Sequence, residues 1–279
     1  MSLDFQFRQI GIIAGKEFRD RIRNRWVLAV AIVFAAFAFA IAYFGAAQQG
    51  SVGFRSIEIT IASLVSLVIY LVPLIALILG FDAIVGERER GSLDLLLSMP
   101  LTRLELLLGK FLGLFLALAC STVIGFGLVG VLLAAKLPAD ALYHYAGFVF
   151  SAVLLGAAFL SLAVLVSVLA PDRGRASSAA IGLWFFFVLI FDLLLLGGLV
   201  VGAGDIGGGL GGQLFPYLLL LNPADIFRVA NIFGVEDVRA MYGLATVFPE
   251  ALAQPALLGA VMVGWIALPL AIAAWRFRQ

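Results

Sequence analysis

The chain has 279 residues, of which 63% are hydrophobic and 13% charged, and its formal net charge is +1. Soluble domains are about 45–50% apolar and about 25% charged, so this composition excludes soluble globular, disordered and disulfide-rich secreted proteins. The single cysteine, Cys120, permits no internal disulfide, and the near-neutral charge argues against a nucleic-acid partner. Most of the chain is therefore expected to lie in a lipid bilayer.

The first 25 residues are predicted to form a cytoplasmic amphipathic helix. Apolar side chains recur at helical spacing from Ile10 to Trp26, and basic side chains lie between them, a pattern typical of helices on a membrane surface. Two roles stay open: an anchor that also sets the topology, or an elbow that transmits motion to the first span. The first apolar run is longer than a signal-peptide core, so we expect it to be a retained anchor.

Residues 26–279 are predicted to form an all-α integral membrane domain with six transmembrane helices. About 20 apolar residues cross the hydrocarbon core, and runs that are continuously apolar argue against a β-barrel. The six runs are residues 26–47, 59–81, 111–135, 146–170, 176–203 and 255–275. Fourteen of the 18 lysines and arginines fall at the termini and in the second-to-third and fourth-to-fifth connections. Because positive residues favour the cytoplasmic side, both termini are expected to be cytoplasmic.

The connection after the second span is the most polar segment of the chain. Gly91 is expected to break the helical extension of that span, Ser92 to cap a short helix, and Pro100 to end it. Three leucines share one apolar face of this helix: Leu93, Leu96 and Leu97. Exposed leucines need a cover, and the pattern alone leaves a partner protein and lipid headgroups equally open.

The start of the third span carries two local signals. Thr102 and Glu105 form a capping box, which predicts that a helix begins there. Gly109 and Gly113 are spaced for close helix packing, as are Gly198 and Gly202 in the fifth span. A charged residue within the fifth span, Asp192, marks either a functional site or a protonated acid bonded to a neighbouring helix.

The connection between the fifth and sixth spans, residues 204–254, is predicted to be an external segment with helical structure. It opens with a glycine-rich lead-in, and residues 214–221 are apolar but too short to span, which favours re-entrant or interfacial placement. A helix start follows at Asn222 and Pro223. This segment either docks a partner, gates a lateral exit, or only seals the bundle. The residues expected to serve a partner or gate are Asn222, Pro223, Asp225, Arg228 and Phe233.

No catalytic or metal chemistry is apparent. The sequence lacks a phosphate-binding loop for ATP, so the chain is not expected to be an enzyme or to hold a cofactor. His144 stands between Tyr143 and Tyr145, which is typical of an interfacial aromatic belt. The cysteine, the histidine and the four methionines are too scattered for a metal site.

Residues 86–100, followed by Leu108–Gly113, resemble the signature of bacterial type-two ABC exporter permeases. Arg90 stands where that family often has lysine. The resemblance implies a coupling helix held in a groove of a separate ATPase subunit, which binds ATP and Mg. It also implies a homodimer of permeases in the bacterial inner membrane. The residues that it assigns to the ATPase contact are Glu87, Arg88, Glu89, Arg90, Gly91, Ser92, Leu93, Leu96, Leu97 and Pro100.

The external segment around residues 221–228 is similar to that of permeases whose transporters mature nitrous oxide reductase. This similarity implies a NosF-like ATPase and a NosD-like periplasmic β-helix protein as partners, and work on the enzyme's copper–sulfur sites. Cys120 and Met262 are isolated copper-type ligands within the spans, so we expect no passage of bare copper. An exporter permease for a drug, lipid or polysaccharide, or a non-transporting membrane scaffold, remains an alternative.

Overall fold

The computed structural model describes residues 6–44, 57–134, 139–202, 216–232, 252 and 254–278. Within this part the chain is helical and contains no strand. The helices are α1 (Phe7–Arg23), α2 (Trp26–Phe44), α3 (Ile57–Gly80), α4 (Val85–Glu89), α5 (Ser92–Leu97), α6 (Arg103–Ala134), α7 (Ala139–Leu169), α8 (Arg173–Phe185), α9 (Phe191–Gly202), α10 (Pro223–Ile232) and α11 (Pro255–Arg278). A π-helical turn, Phe186–Ile190, joins α8 to α9.

Six of these elements are long and apolar enough to cross a membrane, which confirms the predicted number of spans. They are α2, α3, α6, α7, the continuous α8–α9 unit and α11. The helices that contain the third and fourth spans begin before the predicted apolar runs, at Arg103 and Ala139. Their first turns contain polar residues, so hydropathy alone places their starts too late.

The fourth span, α7, lies at the centre of the bundle. About 72% of its apolar stretch is buried inside the protein, a larger share than in any other described span. A row of buried rings crosses the bundle beside it, in the order Phe34, Phe126, Phe148 and Phe227, with centroid distances of 5.1, 5.6 and 5.9 Å. In lipid, where tails are as apolar as the side chains, such close packing rather than hydrophobicity holds helices together. The row therefore ties α2, α6, α7 and α10 into one body.

Glycines on α6 let α1 and α2 approach its backbone closely. A Cβ on Gly109 would lie 2.6 Å from the Ile13 Cβ, and one on Gly113 would lie 2.5 Å from the Glu17 Cβ. The packing predicted for this pair is confirmed. Gly198 on α9, in contrast, has no packing contact within 4 Å in the described chain, so the second predicted pair lacks such support.

Replacing Gly113 by leucine should displace α1 from α6. The added side chain overlaps α1, and overpacking of this kind costs about 1–3 kcal/mol. We expect a lower thermal unfolding temperature and faster proteolysis of α1. Gly127→Leu is the matched control, because that glycine lies on the same helix with open space at its Cβ. Equal behaviour of the two variants would contradict the packing described here.

Candidate functional site

The chain reverses direction between the second and third spans through two short helices. α3 ends at Gly80, residues 81–84 form a turn, and α4 ends at Glu89. Gly91 then adopts φ +69°, a left-handed conformation that favours glycine. This corrects the predicted cap: Gly91, not Ser92, occupies the N-cap position of α5. The Ser92 hydroxyl is instead hydrogen-bonded to the Glu87 carboxylate.

The exposed apolar face of α5 differs from the predicted one. Leu93 is buried, and Leu96 and Leu97 pack against the bundle core. Leu95 is 71% exposed and Met99 is 47% exposed, and Pro100 is exposed beside them. The expected exposure is therefore wrong for Leu93, whereas Leu96 and Leu97 are half-buried, and the assignment of the three leucines to an ATPase contact stays a prediction. The turn at Gly91 directs that stripe toward the bundle, which leaves Leu95 facing outward.

A buried ion cluster joins the coupling segment (residues 86–100) to α1 and α6. The Lys110 Nζ lies 2.6 Å from Glu17 Oε1 and 3.1 Å from Glu87 Oε1. These three side chains are 4%, 9% and 12% exposed, respectively. Arg90, which is exposed, lies 3.8 Å from the same Glu87 oxygen. Separating these side chains would leave uncompensated buried charges, which is energetically costly. The cluster therefore holds α4 in a fixed position relative to α1.

The end of the fourth span provides a second attachment. The backbone N–H groups of Ile84 and Val85 donate to Ser167 Oγ at 2.9 and 3.0 Å. Arg88 donates to the carbonyl oxygens of Ala170 at 2.9 Å and Val168 at 3.3 Å. These carbonyls belong to the C-terminal end of α7, where helix carbonyls have no partner within the helix. Arg88 thus satisfies groups at the end of α7 while holding α4 against it.

The start of the fifth span provides the third attachment. Arg173 Nε lies 2.7 Å from Asp82 Oδ1, and Arg173 Nη2 lies 2.9 Å from Asp82 Oδ2. The Arg173 backbone N–H also donates to Glu89 Oε1 at 2.8 Å. Polar contacts therefore attach the coupling segment to α1, α6, α7 and the start of α8.

The predicted capping box at the start of α6 is confirmed. The Thr102 N–H donates to Glu105 Oε2 at 2.7 Å, and the Glu105 N–H donates to Thr102 Oγ1 at 3.2 Å. Glu105 also accepts a hydrogen bond from the Gln6 N–H, and Arg103 donates to the Phe277 carbonyl at 2.8 Å. The start of α1 and the end of α11 therefore lie at the same end of the bundle as the coupling segment.

The segment before α10 reaches the middle of the bundle. Trp265 Nε1 donates to the Leu220 carbonyl at 3.1 Å, and Asn222 Nδ2 donates to the Phe187 carbonyl at 2.8 Å. Trp265 and Phe187 each lie about half-way along their spans. Leu220 and Asn222 therefore lie beside the middle of the sixth and fifth spans, and the re-entrant or interfacial placement expected for residues 214–221 stays a prediction. Residues 204–215 and 233–251, including Phe233, lie outside the described residues.

A polar cluster links α10 to the fifth span. Arg228 Nη2 lies 2.9 Å from Asp192 Oδ2, and Arg228 Nη1 lies 2.6 Å from Asp225 Oδ1. Asn222 Nδ2 donates to Asp225 Oδ2 at 2.9 Å, while its Oδ1 accepts from the Ala224 N–H at 3.0 Å. The helix begins at Pro223, as predicted, and Asp192 is paired with an arginine.

The hydrogen bond from Asn222 is accepted by a residue of the π-helical turn, Phe187. The turn, Phe186–Ile190, is wider than an α-helix, and such turns interrupt the regular hydrogen-bond ladder and are frequent at functional sites. Its Phe187 carbonyl accepts from Asn222, and Asp192 follows two residues after the turn. A change in the bend of the fifth span would therefore act directly on α10.

Neutralising Arg228 should damage the protein more than neutralising Asp192. Arg228→Met leaves the buried Asp225 and the half-buried Asp192 without their cation, whereas Asp192→Asn keeps the pair between Arg228 and Asp225. We expect a clearly lower unfolding temperature for Arg228→Met and a small change for Asp192→Asn. Arg175→Met is the control, because its pair with Asp172 is exposed. A larger loss in Asp192→Asn would contradict this arrangement.

Several residues of these contacts escaped sequence reasoning. Glu17, Lys110, Ser167 and Arg173 lie 80 or more residues away in sequence from at least one of their partners, so no local pattern joins them. Lys110 does stand out as a charge beside an apolar run. Among the described residues, no three His, Cys, Asp or Glu side chains are placed to hold a metal ion.

The fold and these contacts define a multi-pass membrane subunit with a firmly attached connection between its second and third spans. The sequence profile of the family described as ABC-2 family transporter protein matches residues 12–279. The chain belongs to this family and is the permease subunit of an ABC transporter, so the ATPase is a separate partner.

Two similar proteins share nearly the whole length of the chain. One, from Pseudomonas aeruginosa, is named "Probable ABC transporter permease protein NosY" and is 46% identical over 271 residues, covering 96% of this chain and 97% of its own. The other, from Stutzerimonas stutzeri, has the same name and is 42% identical over 275 residues, covering 97% and 98%. Membership of the family expected from residues 86–113 is confirmed.

Proposed function

We propose that this permease couples ATP hydrolysis by a NosF-like ATPase to conformational work on a NosD-like periplasmic β-helix protein. The work serves maturation of the copper–sulfur sites of nitrous oxide reductase. Similarity to two proteins named NosY supports this assignment. The observation that carries the mechanism is the coupling segment, which exposes Leu95 and is attached to α1, α6, α7 and α8 by polar contacts.

The proposed transmission of motion follows a chain of contacts from the coupling segment to α10, at the opposite end of the bundle. An ATPase that moves the coupling segment also moves the start of α8 through Arg173. The fifth span leads from there to the π-helical turn, where Asn222 and Arg228 attach α10. Two arrangements of these packed elements, biased by ATP binding, are sufficient for mechanical transmission. In this mechanism the coupling segment receives the motion of the ATPase, and α10 passes it to the periplasmic partner.

The proposed setting is a homodimer in the bacterial inner membrane with both termini in the cytoplasm. The start of α1, the end of α11 and the coupling segment share one end of the bundle. The positive charges of the sequence favour the cytoplasm for that end. The opposite end of the bundle, where α10 lies, then faces the periplasm and its partner protein.

Co-purification tests the proposal as a whole. The chain is purified from its native membrane in mild detergent, and the accompanying proteins are identified by mass spectrometry. We expect an ABC ATPase together with a periplasmic repeat protein. An ATPase without a periplasmic partner would favour an exporter of a drug, lipid or polysaccharide. Recovery without any ATPase would overturn the assigned role of the coupling segment.

Replacing both isolated soft ligands should leave maturation intact. Cys120 lies on α6 and Met262 on α11, and in the described part of the chain Cys120 belongs to no group of three His, Cys, Asp or Glu side chains that could hold a metal ion. We expect the Cys120→Ala/Met262→Leu variant to support copper loading of nitrous oxide reductase at the wild-type level. Copper content of the purified reductase is the measurement. Loss of copper with normal levels of permease would show that these ligands carry copper.

A further inference from the structure

A cavity lies beside α10 at the end of the bundle opposite to the coupling segment. Its volume is about 640 Å³, which is within the range of small-molecule sites, about 300–1,000 Å³. The walls come from the first half of α7, from α10 and from the first half of α11. They are mainly apolar and include Phe148, Leu154, Phe227, Leu258 and Met262.

Two glycines on facing helices keep this cavity wide. Gly147 of α7 and Gly259 of α11 both line it. A Cβ placed on either glycine would meet no described residue within 4 Å. Gly109 and Gly113 on α6 are different, because there the missing side chain admits a neighbouring helix. At Gly147 and Gly259 no helix of the described part of the chain uses the space, and glycine within a helix costs stability relative to other residues.

The dimensions and chemistry of the cavity match the hydrocarbon of one membrane leaflet. From Tyr143 to Leu154 the wall of α7 extends over eleven residues, or about 16 Å at ~1.5 Å per residue. Half of the hydrocarbon core is about 15 Å thick. Tyr143 and His144 lie at the outer end of this wall, where aromatic side chains typically meet lipid headgroups. The polar Ser151–Asn231 pair lies further in, with Asn231 Nδ2 donating to Ser151 Oγ at 2.9 Å.

We propose that this cavity is a specific binding site for an acyl chain of a bilayer phospholipid. The chain lies along Gly147 and Gly259, and the headgroup lies at the His144 end. The walls belong to membrane spans and to α10, and their mainly apolar side chains suit a hydrocarbon chain better than water. The bound chain contacts Ile226, Phe227 and Ala230 of α10 and so contributes to the position of that helix.

Photolabelling of the permease in vesicles tests the site. The probe is a phosphatidylglycerol with a diazirine near the end of one acyl chain, mixed into unlabelled phosphatidylglycerol vesicles. Labelled peptides are mapped by mass spectrometry. We expect labelling of residues 148–154 and 258–262 to saturate at a low fraction of probe. Labelling at Leu193 and Leu194, which are exposed on α9, should rise linearly with the probe because it reports ordinary surrounding lipid.

Filling the cavity with larger side chains should remove the saturable part of the photolabelling at residues 148–154 and 258–262. For Gly147→Leu/Gly259→Leu we expect about a tenfold loss of cavity labelling, unchanged labelling at Leu193, and an unfolding temperature no lower than that of the wild type. Gly264→Leu is the matched control on the same helix, since Gly264 also has open space but does not line the cavity. Linear labelling in the wild type, or undiminished cavity labelling in the filled variant, would overturn the proposal. If the double variant folds poorly, the labelling curve of the wild type still tests the proposal, because a specific site saturates and surrounding lipid does not.

Discussion

Replacing Leu95 by serine should release the permease from its ATPase subunit without unfolding it. Leu95 is 71% exposed on α5, so its replacement removes little packing within the chain. On the proposed function, this side chain inserts into the ATPase. Loss of a central apolar contact at an interface costs about 2 kcal/mol or more, which corresponds to roughly 30-fold weaker binding. The measurement is the affinity of the purified permease for the ATPase, together with the unfolding temperature of the permease.

Leu93→Ser is the matched control for this result. Leu93 lies two residues away on the same short helix but is buried against the core. Its replacement places a hydroxyl in an apolar contact, so the expected effect is a lower unfolding temperature. If Leu93→Ser weakened ATPase binding at unchanged stability while Leu95→Ser had no effect, the face predicted from the leucine spacing would be the true docking surface.

Removing the Lys110 charge should have the largest effect on stability. Lys110 is the cation between Glu17 and Glu87, and all three side chains are nearly buried. Lys110→Met leaves the two carboxylates without their partner, and breaking a buried pair in this way costs about 3–5 kcal/mol. We expect a strong fall in the unfolding temperature of the purified permease. The same variant should also lose coupling to ATP hydrolysis, because α1 and α4 no longer share a common attachment.

Two further variants separate charge from packing in this cluster. Lys16→Met is the control, since Lys16 pairs with Asp20 at 3.3 Å on the surface of α1, where an ion pair contributes about 0–1 kcal/mol. The triple variant Glu17→Gln/Glu87→Gln/Lys110→Met removes all three charges and should recover most of the lost stability. A single Lys110→Met variant as stable as Lys16→Met would show that the cluster does not hold these helices together.

The outcome for Asp192 shows how far an isolated charge can be interpreted. A charged residue within an apolar run indicates a polar contact in the membrane, and the structure provides one in Arg228. The sequence separation of 36 residues covers most of α9 and the connection between α9 and α10. Nothing in the local sequence specifies where that segment returns to the fifth span. The existence of a partner was predictable, whereas its identity was not.

Features that depend on local backbone energetics and on composition were predictable without a structure. These are the six spans, the capping box at Thr102, the helix start at Asn222 and Pro223, and the close packing at Gly109 and Gly113. The tertiary structure decided which side of each element faces outward. Span faces buried in protein and in lipid are both apolar, so periodicity does not distinguish them. On α5 the left-handed turn at Gly91 points Leu93 inward and Leu95 outward, and that orientation depends on the packing of distant helices rather than on the spacing of the leucines.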